Sequence, residues 1–292
     1  MNEIVLKGLD GSNLLAFLAA LGAFRVLTRA EPDQRVQMSW RDLDWWTPVI
    51  HHSRIASEEA LVETVTQTLS LNPACRIGPD LVFSREEFAD VLKDALNRDD
   101  RNELAFLAAL GSEFIGSGPK KAQMTDTEFR TMSGAGHQHF LGFMQELAES
   151  TEPSHIEKAL FASWDYSDDR PSLRWDPVDY RPHALRADDP SKAPIRTVRG
   201  ANRLAIEALP LFPTFPRGRS LETVAFVEFD GESTVQWPIW TEPLKLPTVE
   251  SLLGFDWSVP TLSTAFGVAQ RFRSARFTEG KYRNFAPSRA IL

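Results

Sequence analysis

The chain has a single cysteine, Cys75, in 292 residues. One thiol excludes an internal disulfide and a cysteine-based zinc site. The chain also lacks any uninterrupted apolar run of the roughly 20 residues that a membrane span requires. Its longest such stretch, Leu14 to Leu27, is broken by Arg25. Met1-Asn2-Glu3 has none of the basic character of a secretory leader, so a cytoplasmic chain with no membrane partner is expected. The spacings of a phosphate-binding P-loop, a nucleophile elbow and an H-E-x-x-H zinc helix are all missing. No catalytic residue, metal ligand or cofactor is therefore assigned from motifs. A net charge of −8 argues against a generic nucleic-acid coat.

What is present suits an ordinary folded chain, with 42% apolar and 25% charged residues. The expected class is α+β, in one compact domain over residues 1–292. A helix-rich lobe with short strands is expected over 1–163. A lobe rich in Arg, Asp and aromatics, with a β-hairpin and a mixed or antiparallel sheet, is expected over 164–292. Ser57 and the capping box Ser84-Arg85-Glu86-Glu87 mark helix starts. Alternation over Leu221 to Phe229 and Thr234 to Trp240, around Asp230-Gly231, predicts a hairpin. Val268 to Arg273 alternates as a final strand, with Phe272 inward and Arg271 and Arg273 on the opposite, outward face.

Asn13 to Gly22 reads N-L-L-A-F-L-A-A-L-G, and Asn102 to Gly111 reads N-E-L-A-F-L-A-A-L-G. Both windows should be buried helices, with Leu18, Leu21, Leu107 and Leu110 in the core. The match is either an internal duplication or a coincidence of residues that buried helices favour.

The candidate binding residues are basic. Between Trp164 and Arg203, arginines including Arg174, Arg181, Arg186, Arg199 and Arg203 interleave with aspartates and aromatics. Guanidinium forks bind phosphates and carboxylates, so these are either a nucleic-acid or partner surface or an internal ion-pair network. The end from Ala265 to Leu292 carries Arg271, Arg273, Arg276, Lys281, Arg283 and Arg289 against one acid, Glu279. It either meets phosphates, with interleaved Phe and Tyr stacking on bases, or folds back on the acidic remainder. His51-His52 and His137-Gln138-His139 lack the surroundings of a metal centre and are read as polar or partly buried. Gly116 to Lys121 is read as a solvent-exposed loop.

Several segments together resemble a known family. They are L-K-G-L-D-G-S-N with F-L-A-A-L-G-A at 6–23, M-S-W at 38–40, A-L-G-S-E at 109–113 and L-R-W-D-P at 173–177. A-L-R-A-D-D-P-S at 184–191, R-G-A-N-R-L-A at 199–205 and W-P-I-W at 237–240 follow in order. They resemble small proteins encoded with type I-G (formerly I-U) CRISPR systems, including the family named as an extension of the helicase–nuclease. The first motif also looks like the amino terminus of that subtype's large effector subunit. The resemblance carries no catalytic motif. It implies a non-enzymatic subunit or accessory factor of the interference complex, in antiviral defence. The implied partners are CRISPR effector subunits or the helicase–nuclease, with guide RNA or target DNA as further candidates. Two alternatives remain. One is a metal-dependent phosphodiesterase or nuclease built on Asp165, Asp168, Asp169 and Asp176 with His137 or His139. The other is a protein-interaction module unrelated to CRISPR.

Overall fold

The computed structural model describes residues 1–32, 35–69, 77–132, 139–169, 171–177, 196–257, 266–279 and 282–291. The elements run β1 (Asn2–Val5), α1 (Leu14–Ala30), β2 (Gln37–Asp42), β3 (Trp46–His52), α2 (Glu58–Thr68), α3 (Arg85–Asn97) and α4 (Arg101–Leu110). Next come β4 (Gly111–Ser117), β5 (Gln123–Asp126), α5 (Phe140–Ser150), α6 (Pro153–Phe161) and α7 (Arg199–Ala208). The chain continues with β6 (Thr214–Arg217), β7 (Ser220–Thr223), β8 (Phe226–Phe229), β9 (Glu232–Trp240) and α8 (Leu246–Leu253). It closes with β10 (Val268–Glu279), β11 (Tyr282–Phe285) and β12 (Arg289–Ile291). The class is α+β, and every strand pair described is antiparallel.

Helix α1 organises the molecule because its apolar residues cover its whole circumference, so it must be enclosed. Its residues from Leu14 to Leu27 are all buried. Asn13 caps it by accepting the Ala16 N–H at 3.2 Å, satisfying a donor that the helix itself cannot. Against α1 lies α7, from the other half of the sequence. A Cβ built on Gly22 would stand 1.8 Å from the Leu204 carbonyl oxygen, and one on Gly200 would stand 2.0 Å from the His155 oxygen. Two glycines thus let α7 press backbone to backbone on α1 at one side and α6 at the other. The two sequence lobes share this core.

Aromatics join the sheets. The amino-terminal sheet has the order β1-β3-β2, and the carboxy-terminal sheet the order β11-β10-β9-β8 with β12 also on β10. Trp40 of β2 stacks on Phe17 at 5.6 Å and meets Trp240 edge-on at 6.0 Å. The indole N–H of Trp240 donates to the Met38 carbonyl, and that of Trp237 donates to the Gly11 carbonyl, both at 2.8 Å. Trp237 and Trp240 therefore each bury the ring body and satisfy their one donor, whereas the Trp40 indole N–H is buried without a partner among the described residues. Phe88, Ala95, Leu107 and Met124 form a smaller core under α3, α4 and β5.

Of the repeat helices, α1 is enclosed along most of its length and α4 on one side, and Leu18, Leu21, Leu107 and Leu110 are fully enclosed. Their ends nevertheless differ. Asp100, not Asn102, caps α4, accepting the Glu103 N–H at 3.0 Å, whereas Asn102 lies inside the helix and accepts from Arg25 at 2.6 Å. Gly22 lies within α1, whereas Gly111 ends α4. The matching residues do different work, which favours coincidence over duplication. The Asp230-Gly231 hairpin is present, with φ of 52° and 78°, the pattern of a type I′ turn. The expected long strand before it is two strands, β7 and β8, broken where Ala225 takes a φ of 71°.

Candidate interaction surfaces

The arginines of the central segment divide by depth. Arg203 is 2% exposed and its guanidinium pairs with Glu207 one turn on at 3.0 Å. Glu207 also receives Arg25 at 3.2 Å, and Arg25 lies over the Phe106 ring at 5.2 Å. Burial lowers the Arg25 pKa to about 10, with the Glu207 charge opposing the shift. These groups are the internal network of the two readings, and Arg203 is withdrawn as a binding residue. Arg199 opens α7; its N–H donates to Asp168 at 2.9 Å and its guanidinium to Ser150 Oγ at 2.7 Å. Arg174, at a φ of 58°, reaches the Asn284 side-chain oxygen at 3.4 Å. Arg181, Arg186 and Lys281 lie outside the described residues, as do His137 and Cys75.

The basic end is sorted by the pleat of β10. One face carries Phe272, Ser274 and Arg276 against the core. Phe272 meets Trp237 at 5.9 Å, as expected for an inward ring. Arg276 enters beside it, bonding Glu128 at 2.5 Å and the Arg130 carbonyl at 3.0 Å. Burial lowers the Arg276 pKa, against the pull of Glu128. Arg283 leans toward the same Arg130 carbonyl at 3.5 Å. The opposite face carries Arg271 and Arg273, but they do not share a fate. Arg271 is 5% exposed, donates to the Trp257 carbonyl at 3.2 Å and lies over the Trp257 ring at 5.7 Å. The expectation of an outward Arg271 is corrected, because the chain after α8 folds across it. Burial lowers its pKa too.

Arg273 remains on the outer face. Its guanidinium stacks 3.8 Å above the Phe229 ring. With Arg289 and Phe277 it borders an open hollow of about 570 Å³ that Asp230 and Glu232 flank. Of the described candidate arginines on β10, this is the one that combines an open face with a stacking plane.

The aspartates of the nuclease alternative are dispersed in local roles. Asp176 is 3% exposed and accepts from Asn13 Nδ2 and the Tyr166 hydroxyl, both at 3.2 Å. Asp168 caps α7 through Arg199, Asp165 accepts the Ser167 N–H, and Asp169 pairs with Arg196 at 3.0 Å. Among the described residues no three His, Cys, Asp or Glu side chains come together as a metal site. The histidine pair on β3 is buried, as its polar, partly buried reading expects. His52 Nδ1 accepts the N–H groups of Arg54 and Ile55 at 3.0 and 2.8 Å.

One arrangement had no sequence signal. Ser39 Oγ is 2.8 Å from His51 Nε2, and Glu3 is 3.6 Å from His51 Nδ1, the order of an acyl-transfer triad. Access is missing, since Ser39 is 5% exposed in mid-strand. Its backbone also faces β3, because neighbouring Met38 bonds outward to Leu244 at 2.9 Å. Among the described residues no oxyanion hole forms there, and Ser39 and His51 are a buried polar link across the sheet with Glu3 at its exposed end.

No family model, curated protein or solved structure matches the chain. Among the described residues no helix is long and apolar enough to cross a membrane.

Proposed function

We propose that the chain is a non-enzymatic subunit or accessory factor of a type I-G CRISPR interference complex. The observation that carries this reading is where the family-like motifs meet. Asn13 of the first motif bonds Asp176 of L-R-W-D-P across 163 positions, and Trp237 of W-P-I-W bonds Gly11 across 226. Trp240 holds M-S-W through Met38, and R-G-A-N-R-L-A supplies the backbone that Gly22 admits. Matches scattered over unrelated loops would owe nothing to each other. These described motif residues bond to one another, which supports reading them as one set. The same fact accounts for their chemistry: the motif side chains build a scaffold, and an activity would have to be sought in partners.

Within this reading the surface for guide RNA or target DNA is the outer face at Arg273, Arg289 and Phe277. The test is plasmid interference in a host supplied with type I-G genes, with and without this chain. Loss of interference without the chain, restored by an Asp169→Ala variant, is the expected result. Restoration by the parent but not by Asp169→Ala, with the complex still assembled, would favour the nuclease alternative. Full interference without the chain would remove the proposal.

A further inference from the structure

Among the described residues, strand β8 pairs on one side alone, with β9, and forms an open edge of the carboxy-terminal sheet. Bonded and non-bonded pairs alternate along an antiparallel ladder. The Gln236 N–H donates to the Ala225 carbonyl at 2.8 Å, so Ala225, Val227 and Phe229 turn their backbone groups to β9. Phe226 and Glu228 therefore turn theirs to the free edge, where no described residue bonds them. An edge of this kind is a template for another strand.

Two hollows flank the edge, one on each face of the sheet. The first, about 400 Å³, has an aromatic wall of Phe215, Phe229, Phe255 and Trp257, with Asp256 beside it and Arg217, Glu222 and Glu228 shared with the second. The second, about 540 Å³, is lined by Phe226 with Glu128, Glu222, Glu228 and Arg217. Arg217 engages Glu222 at 3.3 Å and Arg276 engages Glu128, which leaves Glu228 without a cation among the described residues. Successive side chains of a strand point to opposite faces. A strand laid beside β8 would send alternate side chains toward the aromatic wall of the first hollow and toward Glu128 and Glu228 in the second. Solvent alone is a poor occupant of the first, since Phe215 is 41% exposed, Val227 44% and Phe229 38%. The second disfavours a phosphate backbone.

We propose that the free edge of β8 captures an extended segment of a partner protein by strand addition, with apolar residues alternating with lysine or arginine. Main-chain bonds would hold the segment, and the paired hollows would select its pattern. That the partner is a CRISPR subunit rests on the reading above; the docking edge does not.

The probe is a short, end-blocked peptide of alternating valine and lysine, added to the full chain. Amide exchange at Phe226 and Glu228 should slow about tenfold or more when it binds, as it does when a strand edge becomes paired. N-methylating the peptide at alternate residues should weaken binding about tenfold for each bond lost. Glu228→Lys should weaken the valine–lysine peptide and favour a valine–glutamate one, while leaving the melting temperature near that of the parent. Unchanged exchange at saturating peptide, or equal binding of the N-methylated form, would overturn the proposal. So would protection of these amides by a single-stranded oligonucleotide in place of the peptide. If the peptide binds as described but no CRISPR subunit does, the edge stands and the subunit reading falls. If subunits bind and the edge amides stay unprotected in the complex, the edge proposal falls alone.

Discussion

Replacing Gly22 by alanine sets two effects of known size against each other. In a helix, alanine is favoured over glycine by about 1 kcal/mol, so propensity alone predicts a more stable protein. The added Cβ, however, would lie 1.8 Å from the Leu204 oxygen and 2.7 Å from its carbonyl carbon. Both atoms are backbone inside a helix, so no rotamer change relieves the overlap. Helices α1 and α7 would have to separate, and both are enclosed along most of their length. Overpacking a close-packed core costs about 1–3 kcal/mol, and a backbone-to-backbone collision belongs at or beyond the top of that range. The expected net loss is about 2 kcal/mol or more, read as a shifted midpoint in urea unfolding at unchanged slope. Gly254→Ala is the control: the nearest atoms to its Cβ are 3.8 Å away, and a small gain of about 0.4–1 kcal/mol is expected. A Gly22→Ala protein as stable as the parent would refute the helix contact around which the fold is described.

Other substitutions separate scaffold from surface. Glu207→Ala leaves Arg25 and Arg203 buried without their carboxylate, and about 3–5 kcal/mol of stability should go in a denaturant titration. Arg276→Ala should cost about 1.5–3 kcal/mol through its bonds to Glu128 and the Arg130 carbonyl. Arg273→Glu should leave unfolding nearly unchanged, and any oligonucleotide binding that it abolishes should also have weakened steeply with salt. Burial lowers the pKa of His51 and His52, opposed by Glu3 and Glu31 respectively. The unfolded chain therefore takes up these protons first as the pH falls. Their contribution is whole above the ordinary histidine pKa of about 6.5 and is lost below it, so the melting temperature should drop on acidification through that value. A flat profile there would contradict the acceptor role of His52.

Local signals were the legible part of the fold. Ser84 and Glu87 make a reciprocal capping box, and Ser57 caps α2, because caps depend on residues three positions apart. Asp230-Gly231 specifies its turn by the φ values that it tolerates. The break between β7 and β8 was hidden because alternation continues through Val224 and Ala225, where only the backbone turns. The site was less legible. Alternation correctly put Arg271 and Arg273 on one face of β10, but not the chain around Trp257 that covers the first of them. Arg203 read as surface-competent because the enclosure of α7 between α1 and α6 is a long-range fact, as is the pairing of Glu207 with Arg25, 182 positions away. The free edge of β8 has no residue signature at all; it follows from which strands do not pair.

Co-purification of the tagged chain with type I-G effector subunits and the helicase–nuclease, expressed together, addresses the subunit assignment itself. The expected result is a stable complex that contains the chain and survives nuclease treatment. A chain that elutes alone at every ratio of the subunits, while folded by its unfolding curve, would contradict it.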